Sequence, residues 1–152
     1  IGFFAEAMRS AGCMDYTGID ITDALIKQLE RHYPGYAFLC LDITTEELEG
    51  TYDLVLMIDV IQHILSPEKL EKAVANAAAS LTEGGTLILA PVARTGNRVP
   101  LLYFVRTWSL EEVIRHIGTG ARVDKKPYRD NTFMLSITRC RQVASKNVWR
   151  PS

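Results

Sequence analysis

Three short apolar segments, each followed directly by an aspartate, constrain the fold of this chain more than any other feature. They cover residues 16–19, 37–41 and 52–58, and the acids that follow them are Asp20, Asp42 and Asp59. A segment with helical spacing separates the first two, and a polar segment over 44–51 separates the second and third. Strands that are apolar on both faces and alternate with helices are typical of an α/β fold, a Rossmann-like, mainly parallel sheet with helices on both faces. Because such sheets bind ligands at the carboxyl ends of their strands, we expect the three acids at a ligand edge.

Helix signals are strong at several points along the chain. An amphipathic stretch from Phe3 to Ala11 stops at Gly12, and a second helix begins at Thr22 or Asp23 and ends near His32. Ser66 with Pro67 at the first helical position predicts a third helix, which we expect to run through Leu81 to the Gly84–Gly85 pair. A strand over 86–90 follows. Ser109 and Glu112 form a capping-box pattern for a fourth helix that ends near Gly118.

The end of the pattern differs from its beginning because no helix separates the last two strands. Residues 121–128 and 132–139 predict strands, and Arg129, Asp130 and Asn131 between them have the chemistry of a tight turn. We therefore expect an antiparallel hairpin at this end. The tail over 140–152 has no period.

The distribution of charge bears on the ligand. Residues 1–76 carry 13 acidic and 5 basic side chains, whereas residues 77–152 carry 5 acidic and 12 basic ones, although the net charge of the chain is only −1. No compact run of Lys or Arg is present, so nucleic-acid binding is weakly indicated, and an anionic small molecule is equally consistent.

Location and redox state follow from the apolar runs and the cysteines. The longest apolar runs, 54–58 and 87–92, are far shorter than the about 20 residues of a membrane span, so we expect a cytoplasmic protein without a membrane segment. Cys13, Cys40 and Cys140 have no C-x-x-C spacing. They predict reduced, buried thiols, with neither a disulfide framework nor a metal site.

The succession TGIDIT, CLDIT, YDLVLMIDVIQHI and LTEGGTLILAP, closed by a hairpin, resembles the class I S-adenosylmethionine-dependent methyltransferases. The resemblance extends from residue 1 to about 139, which we take as one domain followed by a tail over 140–152. It implies methyl transfer from S-adenosylmethionine to a small-molecule acceptor. Asp20 would then hold the ribose hydroxyls, as the family's acid after its second strand does.

The resemblance also implies roles for the residues after the next two strands. Asp42 matches the acid beside the adenine amine, and the backbone amide of Ile43 faces the ring. The segment that passes under the methionine part matches Asp59, Val60 and Ile61, and places Gln62 and His63 near the methyl group. Ile21, with Leu41 and Ile43, is of the apolar type that sandwiches adenine.

One part of the family pattern is largely missing. The glycine-rich turn between the family's first strand and first helix has three glycines, and Gly2 alone matches the last of them. Gly2 lies 18 residues before Asp20, close to the about 20 residues expected between such a turn and its ribose acid. The domain therefore lacks its first strand in residues 1–139, and we expect that strand to precede Ile1.

Two elements are candidates for acceptor chemistry. His63 is the candidate general base, because the ordinary pKa of histidine is near neutral pH and it follows the ligand edge; a purely structural role at the start of the next helix is the alternative. The loop over 91–108 carries Arg94, Arg98 and Arg106, which could hold a carboxylate or phosphate. Its Tyr103, Phe104 and Trp108 could instead pack the following helix, and for Trp108 this is the favoured interpretation.

Two other classes of function remain open at this point. A nicotinamide-dependent dehydrogenase would use Asp20 for ribose in the same way, but it would more often continue with parallel strands and would need a Tyr-x-x-x-Lys or similar pair, which is not found. A non-catalytic, methyltransferase-like module that binds a partner is the second alternative, because most of the glycine turn is missing.

Overall fold

The computed structural model describes residues 2–94, 105–117 and 120–140. The chain forms two compact units, Ile1–Asp42 and Ile43–Ser152. Each unit has its own sheet, with two and four strands respectively. The helices and strands lie close to the segments that the sequence predicts.

The Ile1–Asp42 unit alternates helices and strands. It consists of α1 (Phe3–Ser10), β1 (Thr17–Asp20), α2 (Asp23–His32) and β2 (Ala37–Cys40). The two strands pair in parallel along their whole length. The core of this unit contains an apolar cluster of buried residues: Ala5, Ile26, Leu29, Tyr33 and Phe38. The spacing of these residues on α1 and α2 explains why the two helices pack on this cluster.

The Ile43–Ser152 unit is a four-stranded sheet with short helices. Its elements are β3 (Tyr52–Ile58), a 3₁₀ turn (Ile61–His63), α3 (Pro67–Ala79), β4 (Leu81–Ala93), α4 (Leu110–Ile114), β5 (Ala121–Pro127) and β6 (Thr132–Arg139). The spatial order is β3-β4-β6-β5. Strand β3 is parallel to β4, and β6 is antiparallel to both β4 and β5. Strands β3, β4 and β5 therefore run in one direction, which confirms the predicted α/β fold with mainly parallel strands and a closing hairpin.

Local signals place several ends of these elements correctly. Ser109 caps α4 through a complete capping box with Glu112. Ser66 accepts a hydrogen bond from the Lys69 amide at the start of α3. In the hairpin turn, Asp130 and Asn131 have φ values of 50° and 59°, the left-handed region that Asp and Asn tolerate.

The predicted end of the third helix is wrong. Helix α3 ends at Ala79, and β4 already begins at Leu81, so that one strand runs through Gly84 and Gly85. Leu81 is buried opposite Tyr52 of β3, with an irregularity in the ladder between this pair and the next one. Tertiary pairing with β3 thus overrides the helical period that the sequence shows up to Leu81.

The expectation of buried cysteines is also wrong. Cys40 and Cys140 are exposed, and Cys13 is partly buried; all three are free thiols. Among the four residues of β2, only Phe38 is buried. Cys40 is the last residue of that strand, and its side chain is exposed. In the part of the chain that the structure describes, no helix has the length and apolar character that crossing a bilayer requires.

Candidate functional site

Gly2 stands directly before α1, in a turn that only glycine fits. Its φ is +73°, and a Cβ at this position would lie 2.8 Å from Cε2 of Tyr33 and 3.0 Å from Cδ2 of Leu29. Its carbonyl accepts the first helical hydrogen bond, from the Glu6 amide, at 2.9 Å. The positive φ and the close approach of the end of α2 together explain why this helix start requires a glycine.

Gly2→Ala is expected to destabilise the chain by about 2 to 4 kcal/mol, because it adds a left-handed backbone cost to a steric clash. Two further glycines separate these effects. Gly12 has φ +77° but open space around its Cβ position, and Gly35 has open space without a positive φ. In urea unfolding we expect Gly12→Ala to cost about 1 to 2 kcal/mol and Gly35→Ala to be near neutral. Equal losses for Gly2→Ala and Gly12→Ala would contradict the steric part.

Asp20 is the last residue of β1, and one of its two carboxylate oxygens accepts a hydrogen bond from the backbone. Its Oδ1 accepts the Thr22 amide at 2.8 Å, at the start of α2. Its Oδ2 has no hydrogen-bond partner among residues 2–94, 105–117 and 120–140. The next side chain, Ile21, is 71% exposed although it is large and apolar. An acid beside an exposed aliphatic side chain is suited to a ligand that has both hydroxyls and a flat apolar part.

Asp42 and Ile43 lie two and three residues after the end of β2. A side chain of α3 holds the backbone of Ile43 in place. Asn76 donates from Nδ2 to the carbonyls of Ile43, at 2.9 Å, and of Glu46, at 2.8 Å. Ile43 itself is buried, and Asp42 is partly buried. The Asn76 amide therefore fixes the backbone of the turn after Ile43. Sequence reasoning missed Asn76; its signal was a polar residue between Ala73 and Ala77, on the buried side of the helix.

Asp59 directly follows β3 and has a left-handed backbone, with φ 60°. Its amide donates to the Ala90 carbonyl at 2.9 Å, which ties this turn to β4. Its Oδ1 forms an ion pair with Arg129 of the hairpin turn and lies 3.5 Å from Nε2 of Gln62. Val60 is exposed. Arg129 is a second residue that sequence reasoning missed.

His63 lies on the short 3₁₀ turn after Asp59 and is exposed. Residues far along the chain hold the backbone of this turn. Trp108, which is 1% exposed, donates from Nε1 to the carbonyls of Ile61 and Ile64, each at 3.0 Å. The Arg106 amide donates to the Gln62 carbonyl at 2.9 Å. The position of His63 is therefore set by the segment that precedes α4.

Two expectations for the loop over 91–108 change in consequence. The Arg106 guanidinium lies 3.7 Å from the Trp108 ring centre, donates to the Leu65 carbonyl at 3.0 Å and pairs with Glu112 at 3.4 Å. These contacts use both terminal nitrogens of the guanidinium, and the side chain is 32% exposed, so Arg106 is less available to an anion than the sequence alone suggests. Trp108 is a buried packing residue, as expected, but it contacts the 3₁₀ turn as well. Arg98, Tyr103 and Phe104 lie outside the described residues.

The Glu112 carboxylate gives this region a dependence on pH. The Ser109 amide holds the pKa of Glu112 below its ordinary value, with support from the Ser109 hydroxyl and Arg106, although burial opposes the shift. Because the folded-state pKa is lowered, the charged carboxylate stabilises the fold above the unfolded value near 4.5. That stabilisation is lost as the pH falls through the lowered value.

Glu112→Gln keeps a capping side chain but removes its charge. We expect it to lower the free energy of unfolding by about 1 kcal/mol at pH 7, and the difference from the parent protein to shrink as the pH falls below 4.5. Glu111→Gln, at the exposed neighbouring position, is the matched control and should show little change. The measurement is urea unfolding between pH 3 and 7. A difference that does not depend on pH would contradict the charge argument.

The structure groups the predicted residues within each unit. Gly2, Asp20 and Ile21 belong to the first unit, whose strand β1 ends at Asp20. Asp59, Val60 and His63 share one connection after β3 in the second. In residues 2–94, 105–117 and 120–140, no three His, Cys, Asp or Glu side chains gather as a metal site requires.

The fold is shared with methyltransferases of known structure. The N-methyltransferase NodS of Bradyrhizobium japonicum matches with a TM-score of 0.66 at 18% identity, over 91% of this chain and 80% of that one. CalS10, an amino pentose methyltransferase of Micromonospora echinaspora, matches with a TM-score of 0.71 at 15% identity, over 88% and 78% of the two chains.

Sequence comparison adds the family. A model of the methyltransferase domain matches residues 1–87, more than half of the chain, and the chain therefore belongs to this methyltransferase domain family. The ubiquinone biosynthesis O-methyltransferase of Bordetella avium is 27% identical over 125 residues, which are 78% of this chain and 48% of that protein. The chain thus spans about half the length of this curated relative. The predicted family is confirmed.

Proposed function

We propose that the chain binds S-adenosylmethionine and takes part in methyl transfer to a small-molecule acceptor. The observation that carries the proposal is the end of β1, where Asp20 keeps one carboxylate oxygen available beside the exposed Ile21. Because the chain belongs to the methyltransferase domain family, we infer that the ligand of this site is S-adenosylmethionine. The similar structures of NodS and CalS10 have been solved with S-adenosyl-L-homocysteine and S-adenosylmethionine, respectively, which supports the same choice of cofactor.

The described residues fit this cofactor. A carboxylate accepts two hydrogen bonds from a vicinal diol, so Asp20 holds the ribose. Within the same unit, Ile21 is proposed to pack against adenine and Asp42 to accept from its amine; the role of the Ile43 amide is proposed from the sequence pattern alone. The tight turn at Gly2 would let the backbone approach the ligand closely. Asp59 and Val60 are proposed for the methionine part on the family's sequence pattern alone. When bound, S-adenosylmethionine supplies a methyl group that the positive sulfur activates.

His63 is proposed as the general base for an acceptor that must lose a proton. Its imidazole is exposed, and its backbone is fixed through Trp108, so that it can reach an acceptor without a large rearrangement of the turn. His63→Gln is expected to leave affinity for S-adenosylhomocysteine within about twofold and to lower methyl transfer by about 100-fold or more. Calorimetry and labelled-methyl turnover measure the two quantities. An unchanged rate of methyl transfer would show that His63 is not the general base and has only a structural role.

The acceptor is proposed to be a small molecule with an oxygen or nitrogen nucleophile. The relatives named above are O-methyltransferases, N-methyltransferases and amino pentose methyltransferases, and their acceptors are of this kind by name. The excess of basic residues in the second half of the chain favours an anionic acceptor. A cytoplasmic location stays a prediction, as does the division into a domain over 1–139 and a tail over 140–152.

Calorimetry of the full-length protein with S-adenosylhomocysteine and with NAD tests the cofactor. We expect saturable binding of S-adenosylhomocysteine and none of NAD; the reverse result would favour a dehydrogenase. The antiparallel β5–β6 hairpin already argues against that alternative. Incubation with methyl-labelled S-adenosylmethionine and the low-mass fraction of a cell extract tests catalysis. Binding without transfer of label would favour the non-catalytic module.

A further inference from the structure

Three charged residues follow the three strands of the Ile43–Ser152 unit that run in the same direction. Asp59 follows β3, Arg94 follows β4, and Arg129 lies two residues beyond the end of β5. Parallel strands end at the same edge of a sheet, and ligands of α/β proteins bind at that edge. The three side chains therefore belong to the edge where an acceptor is expected.

Contacts around the hairpin turn join Arg129 to Asp59 and place the backbone of Arg94 near Arg129. Arg129 pairs directly with Asp59 across 70 positions of sequence. Ala93, the residue before Arg94, is opposite Thr132 in the β4–β6 ladder. The amide and hydroxyl of Thr132 in turn donate to the Arg129 carbonyl. The backbone of Arg94 thus lies beside the turn that carries Arg129.

Positive charge exceeds negative charge at this place. Arg94 and Lys125 both lie against the ring of Phe133, each 5.2 Å from the ring centre. Asp59, which pairs with Arg129, and Asp130 of the same turn are the acids, so three cations stand against two carboxylates. A guanidinium that stacks on a ring keeps its N–H donors at its rim, where they can bind an anion.

Arg129 also retains unused donors. A guanidinium has five N–H donors, and within the described part of the chain the side chain of Arg129 donates only to Asp59. Its side chain is 55% exposed, so a ligand can reach it. Arginine binds carboxylate and phosphate groups in a bidentate manner, whereas lysine does not.

We propose that Arg129 and Arg94 form an oxyanion-binding site, which holds a carboxylate or phosphate group of the methyl acceptor. Asp59 competes with the ligand for Arg129 and keeps its guanidinium in position while the site is empty. The inference rests on the proposed function only in identifying the ligand as the acceptor. Binding of an oxyanion by these arginines can be measured without the cofactor.

Substitutions of the two members of the ion pair should change the affinity for an oxyanion in opposite directions. Arg129→Gln removes a charged donor, and we expect it to weaken oxyanion binding about tenfold or more. Asp59→Asn removes the competing charge but keeps a residue that tolerates the left-handed backbone, and we expect it to tighten binding severalfold. A pair that only supports the fold would not produce this opposition.

The experiment is an NMR titration of the full-length protein with benzoate and with phenyl phosphate, with benzyl alcohol as the neutral control. Saturable shifts with the two anions but not with the alcohol are expected. The anion that binds more tightly indicates whether the site prefers a carboxylate or a phosphate group. Arg122→Gln is the matched control variant, because Arg122 is an exposed arginine of the same hairpin that pairs with Asp124 near its other end. It should leave both affinities unchanged.

Several results would overturn the proposal: equal affinity in Arg129→Gln and the parent protein, weaker binding in Asp59→Asn, or equal binding of benzyl alcohol. Arg94→Gln gives a second variant on a different element, and it should also weaken the anions. Absence of S-adenosylhomocysteine binding, with anion binding intact, would contradict the proposed function and leave the oxyanion site standing.

Discussion

Asp20→Asn is expected to weaken the binding of S-adenosylhomocysteine by about 10- to 100-fold, as measured by calorimetry. Asparagine still offers an oxygen to the Thr22 amide, so the start of α2 keeps its hydrogen bond. It lacks the charge and the second acceptor oxygen that a ribose diol would use. The loss of affinity therefore reports ligand recognition and not a disturbed helix.

Asp23→Asn provides the control for this variant. Asp23 is an acid of the same type three residues away, exposed on α2 and paired with Lys27 at 2.6 Å. We expect it to change the affinity by less than about twofold, because exposed ion pairs contribute little. If Asp20→Asn and Asp23→Asn behaved alike, the assignment of Asp20 to the ribose would be wrong.

Trp108→Ala is expected to destabilise the protein by about 3 to 5 kcal/mol, the largest loss of stability that we predict. The side chain is among the largest that are fully buried, and its removal leaves a cavity beside the 3₁₀ turn. Trp108→Phe separates packing from hydrogen bonding, since it leaves the Ile61 and Ile64 carbonyls without their donor. We expect it to cost about 1 to 3 kcal/mol.

Urea unfolding, followed by circular dichroism, measures both Trp108 variants. A loss below about 1 kcal/mol for Trp108→Ala would mean that the turn carrying His63 does not depend on this side chain. A loss for Trp108→Phe as large as that for Trp108→Ala would assign the whole effect to the two hydrogen bonds. The expected order, alanine well below phenylalanine in stability, requires both contributions.

Features that depend on neighbouring residues could be predicted from the sequence. The Ser109–Glu112 capping box, Pro67 at the start of α3 and the turn at Asp130–Asn131 are set by local chemistry, and each is where the sequence predicts it. The order of apolar segments gave the alternation of strands and helices for the same reason. Hydrophobic period and turn chemistry both operate over a few residues.

Features that depend on distant partners were missed or misplaced. Leu81 continues the period of α3, yet its pairing with Tyr52 places it in a strand. Asn76 and Arg129 contribute to the candidate site through partners 33 and 70 positions away, at Ile43 and Asp59. The sequence places Asn76 on the apolar side of α3 but does not reveal which backbone groups it contacts, and no local pattern marks the contact of Arg129.

The position of β6 in the sheet has a consequence for the growing chain. Among the described strands β6 is synthesised last, yet it lies between β4 and β5, and it is the strand that joins β5 to the sheet. Until residues 132–139 have left the ribosome, β5 has no partner and one edge of β4 offers unpaired backbone groups to any other strand. A stop codon that falls just after residue 127 would therefore delete one strand from the translated sequence but two strands from the sheet.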